Sequence, residues 1–163
     1  MTQRHGMQIG TFHITTNSKK KIPWCTNRGI PELLIDNLLM TKNLHCAKIF
    51  GFCILPDHIH LLLEPGEKGL SNFMHSFKRN AMRDVKTLYR SGGSRTSATV
   101  CDVIAWQKGF HDERIRDSEQ RSHALSYIRT NPIHHNLCTS VEEWPWVSDH
   151  FPHLLDPMEI WFS

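Results

Sequence analysis

The sequence predicts an α+β domain on the ferredoxin-like, split βαβ plan: an antiparallel sheet with helices on one face and a His-x-His motif on a central strand. Three observations point there. Hydrophobic periodicity alternates between two and about 3.6 residues along the chain, giving the order β-α-β-β-α-β-α. Two apolar runs are separated only by Pro56-Asp57, which makes them neighbouring antiparallel strands. A long amphipathic helix follows that hairpin, as the second half of a split βαβ unit requires.

Each element has its own warrant. Met7 to Thr15 alternates apolar and polar residues (Met7, Ile9, then Phe12, Ile14) and is expected as the first strand. Ser18 to Pro23 is a basic loop. Pro31 to Met40 carries Leu33, Leu34, Ile35, Leu38 and Leu39 at helical spacing, with Pro31 suited to a first turn. Cys46 to Leu55 is an apolar run bounded by turn residues and is expected as the second strand. His58 to Glu64 alternates and is closed by Pro65-Gly66, the third strand. Leu70 to Arg90 is the long helix, with Leu70, Phe73, Met74, Phe77, Ala81 and Val85 as its apolar stripe. Ser91 to Thr99 is a Ser/Gly loop, and a fourth strand is expected within Val103 to Ile115. Asp117 or Ser118 can cap a last helix that Pro132 is expected to stop at about Asn131.

Composition sets the bounds. The chain has 163 residues, 39% hydrophobic and 21% charged, with no biased tract, which is the composition of one folded domain. No apolar run approaches the length of a membrane span, and Met1-Thr2-Gln3-Arg4-His5 opens without the apolar core of a secretory signal. A cytoplasmic protein with no membrane partner is therefore expected. Cys25, Cys46, Cys53, Cys101 and Cys138 are odd in number, widely spaced and without a C-x-x-C pair, so neither a disulfide framework nor a cysteine zinc site is expected.

The net charge of +3 is unevenly distributed. Between Met74 and Ala98 six cations (Lys78, Arg79, Arg83, Lys86, Arg90, Arg95) face one acid, Asp84, a net +5, and Lys19-Lys20-Lys21 adds a second basic cluster. Beyond Arg129 there is no Lys or Arg, while Glu142, Glu143, Asp149, Asp156 and Glu159 sum to −5. A polyanion such as nucleic acid fits the basic centre, with Lys78, Arg79, Arg83, Lys86 and Arg90 as its contacts; a solvated helix face is the plainer alternative.

The most informative stretch is His58-Ile59-His60-Leu61-Leu62-Leu63-Glu64. Alternate residues of a strand share a face, so His58 and His60 project together with Cα atoms about 6.5–7 Å apart, while Ile59, Leu61 and Leu63 form a core face. Two imidazoles at that spacing can converge on one divalent cation. Twelve histidines in 163 residues produce such pairs by chance, so the pair draws its weight from its position at the start of a strand, behind Asp57, which can orient an imidazole. A cation held there would polarise a phosphate oxygen. The chemistry then needs a nucleophile, and there are two tyrosines, Tyr89 and Tyr127. Tyr127 and Asn131 are four residues apart in the last helix and share its face, so Asn131 can supply a third, oxygen ligand. No dedicated base is evident; a metal-bound water or His123 could serve. Trp24, Trp106 and Phe110 are aromatic platforms for unpaired bases or, more simply, core residues.

These residues resemble a known family. Leu55-Pro56-Asp57-His58-Ile59-His60-Leu61-Leu62 is similar to the HUH motif (His, hydrophobic, His) of single-tyrosine transposases acting on single-stranded DNA. Trp106-Gln107-Lys108-Gly109-Phe110-His111-Asp112, Ile115-Arg116-Asp117, Tyr127-Ile128-Arg129-Thr130-Asn131-Pro132 and Glu143-Trp144-Pro145-Trp146-Val147-Ser148 resemble, in order, segments of the REP-associated tyrosine transposases within that superfamily. The resemblance runs from about Gly10 to Ser148.

The resemblance implies a catalytic domain over 1–148 and a short acidic tail over 149–163. It implies His58, His60 and Asn131 as ligands of magnesium or manganese, and Tyr127 as the nucleophile. The tyrosine would cut single-stranded DNA beside a hairpin, leaving a 5′-phosphotyrosine and a free 3′-hydroxyl, and a 3′-hydroxyl would rejoin the strand. The partner would be single-stranded DNA carrying a hairpin, a repetitive palindromic element or an element end. Relatives in mobile elements act as dimers with exchanged helices, whereas REP-associated members are expected to be monomers, so monomer and homodimer both stay open. Two stretches depart from the family pattern: Arg90 to Val103 is longer and richer in Ser and Gly, and Ile133-His134-His135-Asn136-Leu137 has histidines where a basic residue is usual. A catalytically inactive or domesticated hairpin-binding protein is the alternative function, and a metal-dependent hydrolase without a covalent step is a third.

Overall fold

The structure, a computed structural model, describes residues 10–91 and 103–158. Met7, Ile9, the loop after Ser91 with Arg95, Cys101 and Glu159 lie outside those residues.

Four strands form one sheet: β1 (Phe12–Asn17), β2 (Lys48–Leu55), β3 (His58–Glu64) and β4 (His111–Arg114), ordered β2-β3-β1-β4, with every neighbouring pair antiparallel. That order, with α1 (Ile30–His45) between β1 and β2 and α2 (Leu70–Ser91) between β3 and β4, is the expected split βαβ plan. β3 is central, and Leu55 pairs with His58 across the two-residue turn Pro56-Asp57. A third helix, α3 (Ser118–His134), follows β4.

Alternation along β3 divides the molecule into two cores. Ile59, Leu61 and Leu63 pack with Ile14, Phe52 and Ile54 beneath α1 and α2, where Leu34, Leu38, Phe73 and Phe77 are fully buried. Each such side chain contributes about 1.5–3 kcal/mol by leaving water. Leu62 points the other way and joins Phe50, Cys53, Leu55 and Ile115 beneath Ala124 and Ile128 of α3. Helices on one face thus describes α1 and α2, while α3 covers the opposite face. Its sparse apolar residues give it no conspicuous stripe, and the histidines share its side of the sheet.

Several boundaries differ from the sequence expectations, each for a local reason. β1 begins at Phe12 and runs to Asn17, because its pairing with β3 continues to the register Asn17–His58. α1 runs five residues past Met40: Thr41 is fully buried with its hydroxyl donating to Asn37 O (2.6 Å), and His45 is buried as well. Cys46 ends that helix in a left-handed conformation (φ 51°), so β2 starts only at Lys48. Pro132 does not stop α3. A proline removes one backbone donor, but His135 N–H still reaches Asn131 O (3.1 Å) and Leu137 N–H reaches Pro132 O (2.9 Å). Asp117 is the cap, accepting from Gln120 N–H at 2.8 Å.

β2 carries a bulge between Ile49 and Gly51, so Phe50 and Gly51 both lie on the α3 side. A Cβ on Gly51 would stand 2.6 Å from Leu125 Cδ1, and the bare backbone there admits α3 to close contact with the sheet. The segment after α3 closes the outer edge of β2. Ile54 N–H donates to Trp146 O (2.9 Å), Trp144 Nε1–H to Ile54 O (2.9 Å), and Asp156 N–H to Ile49 O (2.8 Å). Asp156 also pairs with Lys42 (3.0 Å) and Asp149 with Arg129, so these two acids serve the fold and not the cations of α2. Asp84, the lone acid in the basic window, accepts from Asn37 Nδ2 (2.9 Å) and ties α1 to α2. Among the described residues no helix is long and apolar enough to cross a membrane.

Candidate metal and tyrosine site

Strand alternation carries His58 and His60 onto the α3 face, 6% and 4% exposed. Their rings stand 4.9 Å apart at 88° to each other. The antiparallel register places Thr15 opposite His60 and His13 opposite Leu62, so β1 adds two polar side chains to the same face.

Each imidazole is held through Nδ1, and the two Nε2 atoms differ in what they meet. His58 Nδ1 lies 2.6 Å from Asp57 Oδ1, and donation to that carboxylate leaves the Nε2 lone pair bare. Nε2 then faces Asn131 Oδ1 at 3.4 Å. His60 Nδ1 lies 3.1 Å from the Thr15 hydroxyl and 3.2 Å from His13 Nε2. His60 Nε2 is buried with no protein partner. A buried nitrogen without a hydrogen bond is costly in a finished core and natural in a ligand.

The surroundings keep His60 neutral. Burial above all, then the charges that His58, His13, His135 and Lys21 can carry, pushes its pKa down to about 3. Burial likewise lowers His13, against an opposing pull from Glu113. Neutral imidazoles are the form that binds a metal.

α3 brings the remaining groups. Its buried residues Ala124 and Ile128 seat it on the sheet. Asn131, 1% exposed, turns inward, and Tyr127 one turn earlier lies over His60 with ring centroids 5.4 Å apart. The Tyr127 ring is also 5.8 Å from that of His13 and remains 49% exposed. It opens on a hollow of about 500 Å³ shared with His13, Glu113, Gln120 and His123.

Two imidazole nitrogens, one of them without a protein partner, and an amide oxygen form a mixed donor set that a divalent cation such as manganese can accept, with positions left open for substrate. Among the described residues no cluster of three or more His, Cys, Asp or Glu side chains is arranged to hold a metal; beside the two imidazoles the nearby oxygen donor is the Asn131 amide. The residues present therefore fit magnesium or manganese.

Sequence reasoning brought His58, His60, Asp57, Tyr127 and Asn131 together, and the fold does so within one chain. It missed His13, Thr15 and His135, whose ring lies 5.3 Å from that of His58. The alternation that put Phe12 and Ile14 in the core already sent His13 and Thr15 to the other face, but only the β1–β3 register shows that they meet His60. Tyr89 does not join this group: it packs against the α1–α2 core, and its hydroxyl accepts from Asn27 Nδ2 (3.1 Å). Trp24 is a core residue, 1% exposed, its indole donating to Ala105 O.

The α2 cations occupy the other side of the sheet from Tyr127. Lys78, Arg79, Arg83 and Lys86 rim a groove of about 570 Å³ floored by Trp106 and Phe110. Lys78 is bound into it, donating to Gln107 O (2.9 Å) and Gly109 O (2.6 Å), and its burial lowers its pKa. Arg90 stands further along the helix, outside that groove.

Known proteins resemble this chain in sequence and in fold. Residues 8–131 fit the profile of the family described as Transposase IS200 like. A Haemophilus influenzae protein named among the REP-associated tyrosine transposases is 29% identical over 106 residues, 61% of this chain and 57% of that protein. The REP-associated tyrosine transposase of Escherichia coli is 23% identical over 150 residues, 91% of this chain and 81% of that one. The chain thus spans little more than half the length of the first relative and four fifths of the second. A solved structure of a REP-associated tyrosine transposase bound to a REP hairpin superposes with a TM-score of 0.71 at 20% identity, covering 100% of this chain and 96% of that one.

Proposed function

We propose that this chain, which belongs to the IS200-like transposase family, cuts and rejoins single-stranded DNA beside a hairpin with Tyr127 as the nucleophile. One observation carries the reading: the Tyr127 ring packs edge-on against His60, whose Nε2 is buried without a partner, and His58 and Asn131 lie beside it in the same polypeptide. The names of the relatives and the hairpin in the solved neighbour support the choice of substrate.

The phenol oxygen attacks phosphorus in line; the new bond joins phosphorus to Tyr127 as the bond to the 3′-oxygen breaks. The phenolic proton is lost to solvent and the departing oxygen takes one up, so the step is neutral in protons. A diester is exchanged for a diester, so a 3′-hydroxyl can reverse the attack and rejoin strands without a nucleoside triphosphate. Magnesium or manganese held by His58, His60 and Asn131 would polarise the phosphate and offset charge in the transition state. Asp57 and Thr15 fix the two imidazoles in the tautomer that offers Nε2. The rigid spacing of Tyr127 and Asn131 on α3 sets the phenol at a constant distance from that donor set. Because the phenol sits over its own chain's histidines, one subunit suffices. The α2 groove, on the far side, is where hairpin DNA would bind through Lys78, Arg79, Arg83 and Lys86, with Arg90 extending the basic face further along the helix, and the work is that of a cytoplasmic protein at the nucleoid.

The test is a pool of hairpin oligonucleotides with randomised single-stranded arms, incubated with manganese and run on a denaturing gel. A covalent protein–DNA band that Tyr127→Phe abolishes is expected. Cleavage that survives Tyr127→Phe, or tight hairpin binding with no adduct from any member of the pool, would refute the reading.

A further inference from the structure

The basic cluster Lys19-Lys20-Lys21 has no part in the chemistry above, yet the backbone goes to some trouble to place it. Lys20 and Lys21 both have left-handed dihedrals (φ 56° and 57°), a conformation that side-chain-bearing residues rarely adopt and that concentrates at functional sites. The turn is over-determined. Ser18 donates to Asp57 O through its N–H (2.9 Å) and its hydroxyl (3.0 Å), and Lys19 N–H donates to Ala105 O (2.8 Å). The Lys21 ammonium is aimed by a 2.6 Å hydrogen bond to Asn17 Oδ1, and Asn17 pairs with His58 across β1 and β3. The residue that anchors the turn, Asp57, is therefore the same one that holds His58.

Lys21 lines a second hollow, of about 260 Å³, with Pro23, Asp57, His58, His135 and Leu137. Tyr127 and His60 border the first hollow, His58 and Lys21 the second. The histidine pair thus lies between a compartment holding the phenol and a compartment holding an ammonium. In-line displacement puts the leaving oxygen opposite the nucleophile. The strand that departs with its 3′-hydroxyl accordingly runs away from Tyr127, into the hollow where Lys21 and His135 are the basic side chains and where the Asp57 carboxylate is already engaged by His58.

We infer that Lys21 grips the phosphodiester backbone of the strand that leaves with the 3′-hydroxyl, holding that end beside the site until it is rejoined. This rests on Tyr127 being the nucleophile. A protein whose product strand must return as the next attacker needs such a tether, since the covalent bond secures only the 5′-phosphate half.

The experiment uses an adduct-forming strand from the randomised hairpin pool, labelled at its 5′ end, with the full chain and manganese. Release of the labelled 3′-hydroxyl fragment is followed after cleavage, together with the ratio of covalent adduct to rejoined strand. In Lys21→Ala the fragment is expected to leave several-fold faster and adduct to accumulate at the expense of rejoined product. The salt dependence of fragment binding is expected to fall by about 0.7 in log–log slope, one phosphate contact on a single strand. Lys21→Arg restores all three. Release and salt slope equal to those of the unsubstituted protein, with adduct still forming, overturn the inference alone. Absence of adduct from the unsubstituted protein overturns the nucleophile assignment, and this inference with it.

Discussion

Acidifying the metal-free protein from pH 8 to pH 5, with a chelator present, is expected to remove about 2 kcal/mol of stability through His60 alone. The reasoning starts from burial. An unfolded histidine titrates near 6.5 and the folded His60 at about 3, so between those values the unfolded chain binds a proton that the native chain refuses. Stability from this group is complete above 6.5 and declines by about 1.4 kcal/mol per pH unit as the pH falls through the window towards 3. Three half-decades below 6.5 correspond to about 2 kcal/mol at pH 5. Urea unfolding followed by circular dichroism at pH 8, 6.5 and 5 measures the effect, and His60→Asn isolates it. The variant lowers stability at every pH but should show a pH dependence shallower by about that amount. His13, also lowered by burial, touches His60, so His13→Asn and the double variant complete the cycle that separates the two contributions. Parallel curves for the two proteins would refute the claim that His60 is held neutral by the fold.

Other predictions follow from packing and ligand geometry. Ile128→Ala deletes three fully buried carbons under α3, worth about 0.8 kcal/mol each plus a cavity, so a loss of about 3 kcal/mol and a drop in Tm of roughly 6–12 °C are expected by calorimetry, and a loss below about 1 kcal/mol would contradict the packing described. Gly66→Ala would set a Cβ 1.4 Å from His45 O, which only a backbone shift relieves, and about 2–3 kcal/mol should be lost in denaturant titrations. Thr15→Val removes one of the two partners of His60 Nδ1, leaving His13 Nε2, and should weaken manganese binding by about 10-fold in titration calorimetry, with the far-ultraviolet spectrum unchanged. Arg129→Lys gives up the forked pairing with Asp149, but both side chains are partly exposed, and the expected cost stays below about 1 kcal/mol by urea unfolding.

How much of this was readable from the sequence depended on whether a residue's role is local. The β3 strand was legible from end to end because each of its features, the Pro-Asp turn, the period of two and the Pro-Gly stop, lies within a few residues. Asp57, His58 and His60 came with it. Tyr127 and Asn131 could be joined because they share a helix face. His13 and Thr15 were not found, since their part depends on a strand register between residues 47 and 45 positions apart. The end of α1 was misjudged because Thr41 and His45 are polar yet buried, a fact that belongs to tertiary packing. The side of the sheet taken by α3 was hidden for a similar reason: it is decided by the bulge and the bare Gly51 on β2, neither of which marks the helix itself.

The strap formed by Trp144, Trp146 and Asp156 along β2 has a consequence for handling the protein. What looks on paper like a dispensable acidic terminus is a fifth, irregular rung of the sheet, with Leu154 sunk beneath it. Trimming the chain after Val147 would strip the donor and acceptor partners from Ile49 and leave its amide and carbonyl on the edge of β2 open to the next molecule. Shortened versions should come out of the cell more clumped than the chain that carries this selvedge.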